Sequence, residues 1–181
     1  MGGRGIGRAV ARRAAECGWD IAINYREREE AANSPVREVE ALGRHAVAIE
    51  ADIGSESDIV SLFARAEETL GPISGLVNSA GIRHQNRVEA LKVTELERMF
   101  SVNVIGLMLC CREAAKRMST KNGGAGGSIV NVSSMAATNG GRFGNSRYAA
   151  SQRAVDIFTM GFSKEVGADA VRVNVVRPIL I

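Results

Sequence analysis

The sequence is poor in the residues that usually hold metal ions. Histidine occurs twice, as His45 and His84, and cysteine three times, as Cys17, Cys110 and Cys111. Two of the cysteines are adjacent and neither histidine lies near them, so no spacing typical of a metal site is present. We therefore predict no metal site, and we predict that the cysteines are reduced thiols that pack inside the fold.

Long apolar stretches and basic stripes interleaved with aromatic residues are also absent. No apolar run approaches the roughly 20 residues of a membrane span, and residues 1–5 contain no apolar core of a signal peptide. Aromatic residues make up only 4% of the chain, and the net charge is +3, so the sequence gives little support for nucleic-acid binding. We expect a cytoplasmic protein with neither a membrane nor a nucleic acid as partner.

What the sequence does contain is an alternation of short strand patterns and longer helical ones. With 181 residues, of which 45% are hydrophobic, the chain is predicted to form one domain over residues 1–181. The predicted strands are short, rich in Val and Ile, and bounded by Gly, Asn or Asp, as buried parallel strands are. They cover residues 20–25, 45–50, 73–78, 128–133 and 171–176. The alternation indicates an α/β fold, a parallel sheet with helices on both faces.

Apolar residues at helical spacing predict helices between these strands. The predicted helices cover residues 5–17, 27–42, 55–70 and about 94–118. Ser55 is the expected N-cap of the third, and Thr94 with Glu97 forms a capping-box pattern for the fourth. Pro35 falls inside the second, so we expect that helix to start or restart there, with Ser34 as its cap. The fourth helix is apolar almost all round between 102 and 111, which predicts contact with the sheet and with a second subunit.

The chain opens on a glycine-rich segment, Gly2-Gly3-Arg4-Gly5-Ile6-Gly7, that leads directly into the first helix. Glycines let a backbone approach a phosphate closely, and a helix N-terminus offers unpaired N–H groups and the positive end of its dipole. Taken alone, the segment fits a tight turn before a helix equally well.

Further segments follow at the ends of later strands and on the long helices. They are Asp52, Asn78-Ser79-Ala80-Gly81, Asn103, Asn131-Val132-Ser133-Ser134, Tyr148 and Val176-Arg177-Pro178. In order and spacing, and together with the glycine segment, they resemble the motifs of the classical short-chain dehydrogenase/reductase family. The resemblance implies a Rossmann-like, doubly wound parallel sheet. It also implies a strand before the glycine segment and a C-terminal strand that this sequence lacks, so the chain is expected to be either a fragment or a drifted relative.

The resemblance implies a nicotinamide cofactor and names the residues expected to contact it. These are Gly2, Arg4, Gly5, Ile6, Gly7, Arg26, Asp52, Asn78, Ala80, Gly81, Tyr148, Gln152 and Pro178. Sites that prefer NAD(H) usually place an acid after the second strand to hold the ribose 2′-OH, whereas this sequence has Asn24-Tyr25-Arg26 there. Because an arginine fork pairs well with phosphate oxygens, Arg26 and Arg4 favour NADP(H) over NAD(H).

The same resemblance implies an enzyme that interconverts a small-molecule carbonyl compound and an alcohol. Tyr148 is then the acid/base, Ser134 the partner of the substrate oxygen, and Asn103 the support of a proton relay. The family places a lysine four residues after the tyrosine, on the same helix face, to favour the phenolate form. Here that position is Gln152, which is uncharged. The alternative is therefore a nucleotide-binding or scaffold protein, homo-oligomeric through its apolar helix, that does not turn over substrate.

Overall fold

The structure, a computed structural model, describes residues 5–27 and 29–179. These residues fall into two compact units, Met1–Ile73 and Ser74–Ile181. In both units strands alternate with helices along the chain, and all described strand pairs are parallel. The predicted α/β class with parallel pairing is confirmed.

Among its described residues, the first unit contains three helices and a two-stranded sheet. In chain order they are α1 (Gly5–Glu16), β1 (Ile21–Tyr25), α2 (Glu29–Glu40), β2 (Ala46–Glu50) and α3 (Glu56–Leu70). Strand β1 pairs with β2 so that Ile21 lies opposite Ala46 and Tyr25 opposite Glu50. A core cluster joins α1, β1 and α2 through Ala11, Ile23 and Ala32, with Ile21, Tyr25, Val36 and Ala48 packed against it.

The second unit contains a three-stranded sheet in the order β3-β4-β5. Its strands are β3 (Gly75–Asn78), β4 (Gly127–Val132) and β5 (Val171–Val176), and its α-helices are α4 (Val93–Phe100), α5 (Leu107–Met118), α6 (Ala136–Asn139) and α7 (Ser146–Val166). Single 3₁₀ turns cover Val88–Ala90, Thr120–Asn122 and Gly167–Asp169. The interior is lined by fully buried side chains from both helices and strands, among them Met99, Cys111, Met118, Ile129, Val155 and Val171.

All five predicted strands are confirmed to within two residues at each end. The helices predicted over 5–17 and 55–70 are confirmed as α1 and α3, and the Oγ of Ser55 accepts the N–H of Asp58 as an N-cap does. Strands β1 and β3 belong to different sheets and do not pair with each other within the described ranges. Short buried strands and a capped amphipathic helix were thus readable from local pattern alone.

Two predictions about helix starts are wrong. Helix α2 runs without a break from Glu29 to Glu40, with Pro35 inside it rather than at its start. Proline lacks an N–H and so removes one helical hydrogen bond, but the Pro35 ring is fully buried, and its packing offsets that loss. Helix α4 begins at Val93, one residue before the predicted cap, and Lys92 makes no side-chain cap. Burial of Met99 holds this helix instead.

The helix predicted over 94–118 contains a local change of winding. Between α4 and α5, residues Ser101–Gly106 form a π-helical segment, in which backbone hydrogen bonds run from i to i+5. Such segments inside α-helices occur frequently at functional sites. The segment includes Asn103, one of the predicted catalytic residues.

The three cysteines are free, as expected, but they differ in environment. Cys110 and Cys111 are buried in α5, and burial raises the pKa of each thiol to about 12. Their predicted packing is confirmed. The same prediction is wrong for Cys17, which is exposed just beyond the end of α1.

Neither a membrane-spanning helix nor a metal-type cluster is found in the part of the chain that the structure describes. No helix there combines the length and the apolar character needed to cross a bilayer. No three His, Cys, Asp or Glu side chains gather there in an arrangement that could hold a metal ion.

Candidate functional site

In the first unit, two predicted cofactor residues follow the carboxyl ends of the parallel strands, the edge where open α/β sheets bind ligands. Arg26 follows β1, and its guanidinium lies 3.6 Å from the carboxylate of Asp52, which follows β2. Arg26 also pairs with Glu27 at 3.1 Å, and its side chain is 53% exposed. The structure therefore brings Arg26 and Asp52 together and leaves half of the arginine side chain open to solvent.

Asp52 is held in place by the turn that precedes α3. Its Oδ1 accepts the N–H of Gly54 at 2.8 Å, and its own N–H donates to Asp58 at 3.0 Å. This hydrogen bond from the backbone of Asp52, followed by one from Ser55, lowers the pKa of Asp58. The turn thus presents Asp52 in a defined position beside Arg26.

The start of α1 carries three more of the predicted cofactor residues. Gly5 has a φ of +57°, a left-handed conformation that glycine adopts without strain. Gly5 and Ile6 are exposed and Gly7 is half-buried, so the first turn of α1 is accessible to a ligand. Gly2 and Arg4 lie outside the described residues.

In the second unit, the predicted cofactor residues at and after the end of β3 differ in burial. Asn78 is buried, and its side-chain amide donates to the Oδ1 of Asn131 at 2.9 Å and to the Sγ of Cys111 at 3.4 Å. Its side chain is thus used inside the unit, and its contact with a cofactor stays a prediction. Ala80 and Gly81 are half-buried beyond the strand end.

Asn103, in the π-helical segment, connects two parts of the second unit. Its Oδ1 accepts the N–H of Ile82 at 2.8 Å, and its Nδ2 donates to the carbonyl of Ile82 at 2.9 Å. The same Nδ2 donates to the Oγ of Ser151 at 3.1 Å, and Ser151 donates to the carbonyl of Tyr148 at 2.8 Å. Asn103 therefore holds the segment after Gly81 against the turn of helix that carries Tyr148.

Tyr148 and Gln152 lie one turn apart on α7, at positions that share a helix face. Tyr148 is half-buried, and Gln152 is 6% exposed. Neither the phenol of Tyr148 nor the side-chain amide of Gln152 forms a hydrogen bond with another described residue, so both remain available to a ligand. The Oγ of Ser133 donates to the backbone carbonyl of Gln152 at 3.1 Å, which joins α7 to the end of β4.

Ser134 and Pro178 follow neighbouring strands, β4 and β5. The Oγ of Ser134 accepts the N–H of Ala136 at 3.2 Å. The carbonyl of Pro178 accepts the N–H of Met135 at 3.2 Å. The structure thus joins the segment containing Ser134 to the segment containing Pro178 by a backbone hydrogen bond.

Two polar residues support this region in ways that the sequence did not indicate: Asn131, which was named only as part of a motif, and Ser151. Asn131 is fully buried, and its amide donates to the Oγ of Thr159 at 2.9 Å. Its signal in the sequence was a polar residue at an inward-facing position of β4, two residues after the buried Ile129. Ser151 carried no comparable signal, because a serine on a helix is usually a solvated one.

Two surface hollows, of about 590 and 550 Å³, lie along α1 and α2 in the first unit. Residues of α1 and α2 line them, with Arg37 in one, Arg12 in the other and Glu38 in both. Asp52, Arg26 and Ile6 are not part of either hollow. Gly5, the predicted cofactor residue at the start of α1, does line the second hollow, so that hollow reaches one part of the predicted site.

Comparison with known proteins gives consistent matches over nearly the whole chain. The family model described as short chain dehydrogenase matches residues 2–181. An uncharacterized oxidoreductase of Escherichia coli (strain K12), YgfF, is 45% identical over 178 residues, which cover 98% of this chain and 72% of that protein. A 3-oxoacyl-[acyl-carrier-protein] reductase of Mus musculus is 38% identical over 179 residues, 98% of this chain and 71% of that one.

Solved structures agree with the sequence matches. A short chain dehydrogenase from Burkholderia cenocepacia in complex with NADP superposes with a TM-score of 0.91 at 35% identity, and the match covers 98% of this chain and 70% of that one. The agreement confirms the Rossmann-like fold predicted from the motifs.

Proposed function

The chain belongs to the short-chain dehydrogenase family of NAD(P)-dependent oxidoreductases, and we propose that it uses NADP(H) to interconvert a small-molecule carbonyl compound and an alcohol. The observation that carries this proposal is the pair of hydrogen bonds between Asn103 and the backbone of Ile82, together with the bond that Asn103 donates to Ser151. These bonds join the segment beyond β3 to the turn of α7 that carries Tyr148. The Tyr148 phenol itself forms no hydrogen bond with any described residue.

The residues of the first unit fit a dinucleotide. The first turn of α1 begins at a glycine with positive φ and is accessible, which suits a pyrophosphate. Asp52 offers a carboxylate to the adenine, and the exposed side of Arg26 offers a fork to a 2′-phosphate. The Burkholderia relative was solved in complex with NADP, which supports this choice of cofactor. The bound cofactor supplies or accepts the hydride.

The chain's own residues handle the proton and the substrate oxygen. We assign Tyr148 as the group that gives a proton to the carbonyl oxygen during reduction, or takes it from the alcohol during oxidation. Ser134 donates a hydrogen bond to the same oxygen. Asn103 orders the proton path behind Tyr148, and Gln152 hydrogen-bonds a ribose hydroxyl without contributing charge.

A second candidate function follows from Gln152. A tyrosine in water has a pKa of about 10, so proton exchange near neutral pH asks for a neighbouring cation, and an amide supplies none. Under this second hypothesis, in which no cation assists Tyr148, the chain is a nucleotide-binding or scaffold relative with little or no turnover. Gln152 is 6% exposed, and its side chain makes no hydrogen bond to a described residue.

Two measurements separate these functions. Fluorescence titration with NADPH and NADH tests binding, which both candidates require. NADPH oxidation with a panel of ketones tests turnover, which only the oxidoreductase requires. Binding of NADPH without oxidation supports the scaffold, whereas absence of binding removes both candidates.

We also infer that residues 1–181 form one nucleotide-binding domain and that the chain self-associates. Helix α7 packs against α4, α5 and the π-helical segment, and this group of helices carries large exposed apolar side chains. They include Ile105, Ile157 and Met160, each more than half exposed. A second copy of the chain is the proposed occupant of this surface.

The adjacent free thiols Cys110 and Cys111 support a reducing, cytoplasmic location.

A further inference from the structure

Asp156 is a fully buried carboxylate on α7 that the proposed mechanism does not use. The Nε of Arg177 donates to its Oδ2 at 2.8 Å, and the Nη1 of Arg153 lies 3.7 Å from the same oxygen. The Oδ1 of Asp156 has no hydrogen-bond partner in the described ranges. Because a buried charge is stable only when it is paired, Asp156 depends mainly on Arg177.

Arg177 lies just beyond β5, whose last residue is Val176. The next residue, Pro178, has no N–H and so cannot continue the ladder as a donor. Backbone hydrogen bonds tie this segment to the end of β4, and the side chain of Arg177 adds a separate bond to α7.

The anchored segment is bonded to both sides of Ser134. The carbonyl of Val176 accepts the N–H of Ser133 at 2.8 Å, and the carbonyl of Pro178 accepts the N–H of Met135 at 3.2 Å. These two carbonyls flank Arg177 in the chain, and the two N–H groups flank Ser134. A displacement of the segment would therefore move the backbone on which Ser134 is carried.

The helix that supplies Asp156 also carries Tyr148 and Gln152. The three residues follow one another at intervals of four along α7, so they lie on one helix face at successive turns. Asp156 thus links the helix that carries the acid/base to the segment bonded around Ser134.

We propose that Asp156 is a positioning residue: by holding Arg177 it fixes the Val176–Pro178 segment and, through that segment, the position of Ser134 relative to α7. The inference rests on the proposed role of Ser134 as partner of the substrate oxygen. No contact between Asp156 and substrate or cofactor is involved.

The test uses amide hydrogen exchange of the unmodified chain and of its variants, which requires neither cofactor nor turnover. In Asp156→Asn and in Arg177→Gln, we expect the amides of Ser133 and Met135 to exchange about tenfold faster through local opening. The amides of Ile129 and Val130, in the middle of β4, should change by less than about twofold. Arg177→Lys keeps the positive charge, so the amides of Ser133 and Met135 should exchange much more slowly in this variant than in Arg177→Gln.

Controls separate positioning from general stability. Arg172→Gln changes an exposed arginine of β5 whose side chain forms no hydrogen bond or ion pair with a described residue, and exchange at Met135 should not change. The double variant of Asp156 and Arg177 should exchange no faster than either single variant, because both remove the same anchor. If Asp156→Asn does not fold, the two Arg177 variants carry the test.

Two results overturn the proposal. One is unchanged exchange at Ser133 and Met135 in both single variants. The other is acceleration of all amides of β4 by the same factor, which indicates global destabilisation alone. If the local change occurs but the chain never oxidises NADPH, the anchor stands and the proposed function fails, so the two failures are distinguishable.

Discussion

Asn103 and Ser151 are joined by a hydrogen bond of 3.1 Å between a π-helical segment and the first turns of α7. Asn103→Ala removes this bond and both bonds to the backbone of Ile82. Since backbone groups then lose their partners, we expect the free energy of unfolding to fall by about 1–3 kcal/mol. Urea unfolding of the variant beside Asn122→Ala, which removes one exposed hydrogen bond, checks this. Equal losses in the two variants would contradict a special role for Asn103.

Restoring a cation beside Tyr148 should increase turnover. Positioned acid/base catalysis contributes about 10²–10⁴-fold, so we expect Gln152→Lys to raise the rate of NADPH oxidation with ketones by about 10²-fold. The pH at which the rate levels off should fall as well, because the ammonium favours the phenolate.

Two controls accompany the Gln152 variant. Ala150→Lys places the same charge on the exposed side of α7 and should leave the rate unchanged. Tyr148→Phe in the Gln152→Lys background should abolish the gain. If the protein with Gln152 is already as fast as the lysine variant, the argument for a scaffold loses its main support.

Cofactor preference should depend on Arg26. Loss of its contact with a 2′-phosphate should weaken NADPH binding about tenfold, or about 1.4 kcal/mol, and leave NADH binding nearly unchanged. Fluorescence titration of Arg26→Ala with both reduced cofactors measures this, with Arg65→Ala as an exposed-arginine control from the same unit. Arg4→Ala tests the second predicted contact in the same way. Equal affinities of the unmodified chain for NADPH and NADH would remove the argument.

Acid stability should depend on Glu113, a buried carboxylate on α5. Burial opposes its ionisation, but hydrogen bonds from Arg117, Lys116 and Arg112 outweigh burial and lower its pKa from 4.5 to about 2. A depressed pKa means that ionised Glu113 stabilises the fold fully above about pH 4.5, and that this contribution is lost as pH falls toward 2.

Glu113→Gln should therefore lower the free energy of unfolding at pH 7 by roughly 1–3 kcal/mol. The variant should also show a weaker loss of stability between pH 4.5 and 2. Denaturant titrations across this range measure both effects. Glu165→Gln, at an exposed position of α7, is the control, and an identical pH dependence in the two variants would refute the assignment.

Self-association should depend on the exposed apolar side chains of α7. Ile157→Glu introduces a charge at a residue that is 52% exposed, and burying that charge between subunits without a partner is costly. Sedimentation should show a shift toward monomer. Val60→Glu changes a 41% exposed residue of α3 and should leave assembly intact. A folded monomer of the unmodified chain at high concentration would argue against the interface.

Local patterns in the sequence were enough to predict the strands and most helices. Runs such as Ile-Val-Asn-Val in β4 are typical of a buried strand, and Ser55 in the N-cap position predicts the start of its helix. Pro35 shows the limit, because its position in a helix depends on tertiary burial of the ring, which no local pattern records.

The positions of the candidate site residues were predictable only in part. Arg26 and Asp52 could be placed near each other because both follow parallel strands. The contact between Asp156 and Arg177 joins residues that are 21 positions apart and lie on a helix and beyond a strand. Nothing in the spacing indicates it, since Asp156 looks like any acid on a helix until the packing of α7 against β5 is known.

The π-helical segment Ser101–Gly106 has a consequence for how the long helix tolerates insertions and deletions. A turn bonded from i to i+5 accommodates one residue more than an α-turn, so the faces of α4 and α5 are offset by about 100°, the rotation of one α-helical residue. Deleting a single residue here would let the helix become uniformly α-helical. It would then rotate Met99 out of its buried position or turn Cys111 and Ala114 toward solvent. A surface loop tolerates insertions and deletions easily, whereas we expect that an insertion or deletion within these six residues would disturb the packing of the helix.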